Sequence, residues 1–444
     1  MNRTIPAGPS KWLQGVVERN RLNQPAGVYS VCSANPWVLE AALYQALEDE
    51  SVVCIESTCN QVNQFGGYTG LTPAQFGDFV RSIAARVSFP EQRILFGGDH
   101  LGPYPWRQEP ARAALEKAAV LVRASVLAGY SKIHLDASMA CAGDDPNQPL
   151  ADEVIAERAA ALCQVAEEVW AELPAGSPAP LYVIGTEVPT PGGETEPGLA
   201  PAVTRVEHAR TTLDNCRAAF LKRSLAAAWE RVIGLVVQPG VEFGDASVFE
   251  YDRAKACSLS QCLPASPSLV YEAHSTDYQP PPALRQMVED HFAILKVGPW
   301  LTFAFREAVF ALGQIEQEWL GNRRVASLSH VPEALYQAML KNPAHWKAYY
   351  RGDEAEIYFA RRYSYSDRSR YYWPEPSVER ELQKLLANLS AAPPPLTLVS
   401  QHLPEQYDAV RAGALRNHPA SLIQDRIRKV LRIYADACRL KETS

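Results

Sequence analysis

The residues able to do chemistry stand where short apolar runs end. Ile94-Leu95-Phe96 gives way to Gly97-Gly98 and then to Asp99-His100, with Gly102, Pro103 and Pro105 close behind. Glu56 follows the run 52–55, and Glu187 follows 181–184. Gln238 follows 232–237. Glu272 and His274 follow 269–271, with Asp277 three residues on, and Lys296 follows 293–295. Charges are costly where a strand finishes inside a core, so they are rarely left unpaired there. Several carboxylates converging with imidazoles call for a cation, and His with Asp or Glu is a donor set for a divalent metal. His100 and His274 are the first candidates for ligands. Glu187 opens the stretch Pro189-Thr190-Pro191-Gly192-Gly193, which suggests a shaped loop over such a site. His134 precedes Asp136 by two, so both face one side of a strand. If that side is the interior, His134 lies one layer deeper, as a ligand or as a satisfied core histidine.

Two further stretches suit binding. Residues 58–68 carry Asn60, Asn63 and Gln64 together with Gly66 and Gly67. Their amides offer donors and acceptors to sugar hydroxyls, or simply make a polar loop. Residues 365–373 set Arg368 and Arg370 among aromatic residues, an arrangement for holding a phosphate or a subunit contact.

Positioning such a site takes a scaffold that brings strand ends together. Eight apolar runs, near residues 27–31, 52–55, 94–96, 132–135, 181–184, 232–237, 269–271 and 293–295, alternate with helix-like segments such as 110–129, 152–173 and 206–229. Continuous apolar runs suit strands buried on both faces. That count predicts an α/β fold, a (β/α)8 TIM barrel with the site at the C-terminal strand ends. A doubly wound sheet would usually carry a Gly-rich phosphate turn after its first strand, and Ser33-Ala34-Asn35-Pro36 is not one. After about residue 325 the rhythm stops. We therefore expect a barrel over 1–325 and a helical C-terminal extension over 326–444, packed on the barrel and including helices near 378–389 and 421–440.

The net charge of −7 argues against nucleic acid as the main partner. No apolar stretch approaches the roughly 20 residues of a membrane span, and Met1-Asn2-Arg3-Thr4-Ile5-Pro6 has no signal core. A cytoplasmic location is expected. The nine cysteines are scattered without a C-x-x-C pair, as expected of reduced, mostly buried thiols, with Cys59 and Cys141 near candidate loops.

The stretches "SVCSANP", "ESTCNQVNQFGGYTG", "GGDHLGP", "KIHLDASMACAGD", "IGTEVPTPGGE", "VVQPGVEF", "YEAHSTDYQ", "HFAILKVGP" and "SDRSRYYWP" resemble the Z-type subunit family of tagatose-1,6-bisphosphate aldolase, over nearly the whole chain. That family works in galactitol and N-acetylgalactosamine breakdown and is a TIM barrel. A more distant likeness is to catalytic class II aldolases, whose Asp-His pair combines a proton-transferring Asp with a metal-ligating His and matches Asp99-His100. Their second metal histidine matches His274, and their third falls on "VVQPG", where Gln238 stands.

The resemblance implies two readings, both open at this point. In one, the chain is a non-catalytic subunit that activates and stabilises a class II aldolase catalytic subunit. In the other, it is a metal-dependent 4-epimerase linking fructose and tagatose, or their 6-phosphates, by retro-aldol cleavage between C3 and C4 and re-addition to the other face. The enzymatic reading makes His100, His274, Glu187 and Asp136 the ligands of a divalent Zn, Mn, Ni or Co ion. Asp99, Glu187 and Lys296 would be catalytic. Glu56, Asn60, Asn63, Gln64, His134, Gln238, Asp277, Arg368 and Arg370 would bind the ketohexose or its phosphate. A homo-oligomer is expected.

Overall fold

The computed structural model describes residues 8–145, 148–186, 201–263, 268–323 and 327–443. The strands in chain order are β1 (Val28–Val31), β2 (Val53–Thr58), β3 (Ile94–Leu101), β4 (Lys132–Leu135), β5 (Leu181–Ile184), β6 (Val232–Val237), β7 (Glu242–Phe243), β8 (Val248–Phe249), β9 (Val270–Ala273) and β10 (Ile294–Val297). Eight of them form a closed parallel barrel, with β10 pairing back onto β1, and β7 and β8 make a separate antiparallel hairpin. The fold is a (β/α)8 TIM barrel followed by C-terminal helices. β1, β4, β5, β6, β9 and β10 are buried along their whole length, as apolar strands covered by helices must be. Local signals start the helices. Asn35 accepts from the N–H groups of Trp37 and Val38 at the head of the helix Pro36–Glu48, and Thr72 with Gln75 forms a capping box on Pro73–Arg86.

The third strand departs from the sequence expectation. It does not stop at Gly97-Gly98 but runs on to Leu101, pairing Gly97 with Glu56 and Asp99 with Thr58. The glycine at 97 makes room, because a Cβ there would lie 2.6 Å from Glu56 Cγ. Gly102 is tighter still, since a Cβ would stand 1.6 Å from the Asp136 carbonyl oxygen. The register against β4 shifts between Gly98 and Leu101, and His100 takes a left-handed φ of 51°. Such a conformation is costly for a non-glycine residue and tends to mark functional sites.

Three further elements escaped the strand count. The helix Pro9–Arg21 buries Trp12, Leu13, Val16 and Val17. Its Asn20 donates to the carbonyls of Ala26, just before β1, and of Val288, in the last turn of the helix that leads to β10, which places it at the N-terminal end of the barrel. The β7–β8 hairpin is too short to leave a periodic signal. The segment 206–229 divides into Val206–Lys222 and Ala226–Trp229, with Ser224 at φ 60° between them.

Past the barrel helix Pro299–Leu320 the chain is helical, including Val331–Lys341, Glu354–Tyr363, Pro376–Ala391 and Pro419–Ala437. The expected division at 325/326 lies outside the described residues. Pro419–Ala437 packs on the barrel helices Pro36–Glu48, Pro281–Glu289 and Pro299–Leu320, and buries Leu422, Ile427, Leu431 and Tyr434 in the same apolar cluster as the barrel. Tyr434 Oη donates to the Thr276 carbonyl at 2.7 Å, and Thr276 Oγ1 donates to the Lys296 carbonyl at 2.6 Å. The C-terminal helices thus fasten the loop that follows β9. All nine cysteines are free, and Cys59 and Cys141 are buried. No helix among the described residues is long and apolar enough to cross a membrane.

Candidate metal centre

Two polar layers are stacked inside the barrel, because residues two apart on a strand point the same way. The deeper layer is an ion-pair lattice. Lys132 Nζ on β4 lies 2.7 Å from Glu56 on β2 and 2.6 Å from Glu272 on β9. Lys296 on β10 pairs with Glu56, lies 2.9 Å from Asp99 and 4.0 Å from Glu272. All of these side chains are buried. Burial alone would neutralise them, but each is held charged by its partners. Burial opposes ionisation of Glu272, yet Lys132 and Lys296 keep its carboxyl well below the usual range; Glu56 is lowered by the same two ammoniums.

Above that lattice lie Asp99, His100, His134 and His274, with one donor atom from each within 4.8 Å of the others. The imidazole centroids are 4.9 to 5.4 Å apart. Each ring is steered from behind. Asp136 Oδ2 is 2.8 Å from His100 Nδ1, and Glu272 Oε1 is 3.0 Å from His274 Nε2. His134 Nδ1 is 3.1 Å from Asp99 Oδ1 and 3.2 Å from the His100 backbone nitrogen. A carboxylate behind an imidazole is how proteins orient metal ligands and raise their basicity.

The residues fit a divalent cation on three observations. His134 Nε2 is buried and has no hydrogen-bond partner, a condition that costs about 1–3 kcal/mol if left so. Four carboxylates (Glu56, Asp99, Asp136 and Glu272) face two ammoniums (Lys132 and Lys296), so neutral imidazoles leave two negative charges uncompensated. His100 responds to that excess. Burial would lower its pKa, but Asp99 and Asp136 pull it above the ordinary value. His274 goes the other way, to about 4, because burial dominates. Asp99, despite burial, is held well below the carboxylate range by His100, Lys296 and His134.

Asp99, His100, His274 and Lys296 open onto a cavity of about 320 Å³. Of the residues expected to bind substrate, Asn60, Asp277, Arg368 and Arg370 also line it. Others are turned elsewhere. Glu56 sits beneath the cavity between its two lysines. Asn63 caps its own loop, accepting from Phe65 and Gly67 and donating to Cys59, and Gln64 donates to the Lys117 carbonyl. Gln238 accepts the N–H groups of Gly240 and Val241, so its amide oxygen closes a turn. Asp136 stands behind His100, and His134 joins the cluster instead of the cavity wall. Asp277 lines the cavity while also accepting the N–H groups of Gly298 and Trp300, and burial raises its carboxyl to about 6. Glu187 lies outside the described residues.

Sequence reasoning passed over Lys132 and Cys32. Lys132 reads as a strand's polar first residue, yet Lys132, His134 and Asp136 alternate, which is the signal that all three point inward. Cys32 lines the cavity beside Asp99.

Comparisons with known proteins give the family and the fold. Residues 13–439 match the model of the family described as D-tagatose-1,6-bisphosphate aldolase subunit GatZ/KbaZ-like. The chain is 50% identical over 426 residues to a D-tagatose-1,6-bisphosphate aldolase subunit GatZ of Klebsiella pneumoniae subsp. pneumoniae, covering 96% of this chain and 99% of that one. Among solved structures it is similar to a probable tagatose 6 phosphate kinase from Sinorhizobium meliloti 1021, at a TM-score of 0.84 and 45% identity, covering 93% of this chain and 100% of the other.

Proposed function

Since the chain belongs to the D-tagatose-1,6-bisphosphate aldolase subunit GatZ/KbaZ-like family, we propose that it works as a subunit beside a class II aldolase catalytic chain and carries in its own barrel a divalent-cation site for ketohexoses or their phosphates. The family supports the first half. The buried, unpartnered His134 nitrogen within the Asp99–His100–His274 cluster supports the second.

His100, His134 and His274 would hold the cation beside Asp99, and its contribution would be Lewis acidity toward a ketose carbonyl and the hydroxyl beside it. The protein's own groups do the rest. Asp136 and Glu272 fix the rings. Lys296, held as an ammonium by Asp99 and Glu56 against the pull of burial, presents positive charge at the cavity floor. Asp99, ionised and open to the cavity, is placed to take the C4-hydroxyl proton and to return it.

That machinery also favours a second reading, a 4-epimerase acting alone. C3–C4 cleavage with proton transfer at Asp99, rotation of the carbonyl fragment and re-addition would invert C4. One set of assays separates the two. The purified chain is supplied with Zn²⁺, Mn²⁺, Ni²⁺ or Co²⁺, and fructose, tagatose and their 6-phosphates are followed by NMR. The same preparation is added to a class II aldolase catalytic chain. The subunit reading predicts a rise in the aldolase's activity, and no rise overturns it. Interconversion by the chain alone establishes the epimerase, and its absence with every metal removes that reading.

A further inference from the structure

Two buried arginines lie away from the cavity: Arg361 stacks on Tyr336 and Trp346 without an ion pair among the described residues, and Arg306 is neutralised. Arg306, 2% exposed, has Asp367 Oδ1 3.0 Å from its Nε. The two arginines on the cavity wall differ from Arg306. Arg368 is 3% exposed and Arg370 half-buried, and among the described residues neither has a carboxylate within ion-pair distance. The neighbouring acid, Asp367, is turned away from them toward Arg306, the Thr302 hydroxyl at 2.6 Å and the Ser369 hydroxyl at 2.8 Å.

Both guanidiniums are held in place by neutral groups. Arg368 stacks on Tyr349 and donates to the His345 carbonyl at 3.2 Å, while its Nε is buried without a partner. Arg370 donates to the Ser366 and Asp367 carbonyls and to Tyr371 Oη at 2.9 Å. Two pre-positioned guanidiniums at one cavity wall, with the buried Arg368 Nε left over and no carboxylate at ion-pair distance among the described residues, suit an anionic group.

We propose that Arg368 and Arg370 receive the terminal anionic group, phosphate or carboxylate, of an open-chain sugar whose keto end lies at the His100–His274 floor of the same cavity. This rests on the reading of the barrel mouth as a ketohexose site and adds to it a requirement for an acid at the far end. The C-terminal helical region, which supplies both arginines, is then part of the substrate site and not only a cover on the barrel.

Calorimetry on the intact chain tests it, with tagatose 6-phosphate, a ketohexuronate and free tagatose as probes, and with the cation titrated separately. At least one anionic sugar should bind about 10- to 100-fold tighter than tagatose, as charge-assisted bonds to two guanidiniums imply. The better of the two identifies the source of the anion. Arg370→Gln should erase the preference, Arg370→Lys should restore part of it, and neither should change cation affinity. Arg368→Gln should act like Arg370→Gln; if that buried change unfolds the chain, the Arg370 pair decides alone. Equal binding of charged and free sugars, no saturable binding of any, or an unchanged preference in Arg370→Gln overturns the proposal. Cation binding without an anion preference defeats this proposal alone, whereas an anion preference without cation binding defeats the metal reading alone.

Discussion

The two polar layers of the barrel are built from similar residues and differ in one respect. The lower one closes on itself, since Lys132 lies between Glu56 and Glu272, and Lys296 between Glu56 and Asp99. The upper one does not. Asp99, His100, His134 and His274 gather donor atoms around a common point, and one of those nitrogens has nothing to bond. Glu56 and Glu272 balance Lys132 and Lys296 in charge, and a balanced lattice needs no ligand and serves as a rigid floor. A cluster that converges without compensating itself is made for something that arrives. The lower layer also aims the upper one, because Glu272, pinned by Lys132, is the carboxylate behind His274.

Breaking the lower layer should have the largest effect. Lys132→Met leaves Glu56 and Glu272 buried with half their compensation, and the loss of folding stability should be about 3–5 kcal/mol by chemical denaturation. Next comes a change confined to the upper layer. His134→Ala should abolish tight binding of Zn²⁺ or Mn²⁺ in calorimetry while costing far less stability than Lys132→Met; equal destabilisation by the two would erase the distinction between the layers. Removing an orienting partner should be milder. Asp136→Asn should weaken the cation by about 10- to 100-fold without abolishing it.

Asp277 gives a smaller effect with a defined sign. Its carboxyl is raised from 3.8 to about 6 in the folded chain. Between those values the unfolded chain has released a proton that the folded chain keeps, so stability from this group is present at low pH and lost as pH rises through about 6. Asp277→Asn keeps an oxygen for Gly298 and Trp300 and should flatten the change in denaturation midpoint between pH 4 and 7. An unchanged slope would contradict this. Least of all, Gln238→Ala should leave cation affinity untouched, since its amide bonds its own turn; a large loss would make Gln238 a donor after all.

The barrel was legible because its eight strands are continuous apolar runs punctuated by polar ends, a pattern that parallel sheets impose. Asp99, His100, His274 and Lys296 were legible for the same reason. Lys132 was not, because a lysine opening a strand looks like its solvated end; only closure of the barrel sets it opposite two glutamates. His134 had two readings, and its place beside His100 accompanies an irregular β3–β4 register that sequence does not announce. Asn63, Gln64 and Gln238 have the chemistry of binding residues, but backbone groups claim their amides first, from their own loops for Asn63 and Gln238 and from the distant Lys117 carbonyl for Gln64. The Pro9–Arg21 helix has no strand rhythm to mark it.

The upper layer should hold one divalent cation. Crystals grown with Mn²⁺ or Zn²⁺ and measured at the metal's absorption edge test it most directly. A single strong anomalous peak per chain is expected, enclosed by His100, His134, His274 and Asp99. A peak elsewhere, or none at that point while the protein binds the ion in solution, would contradict it.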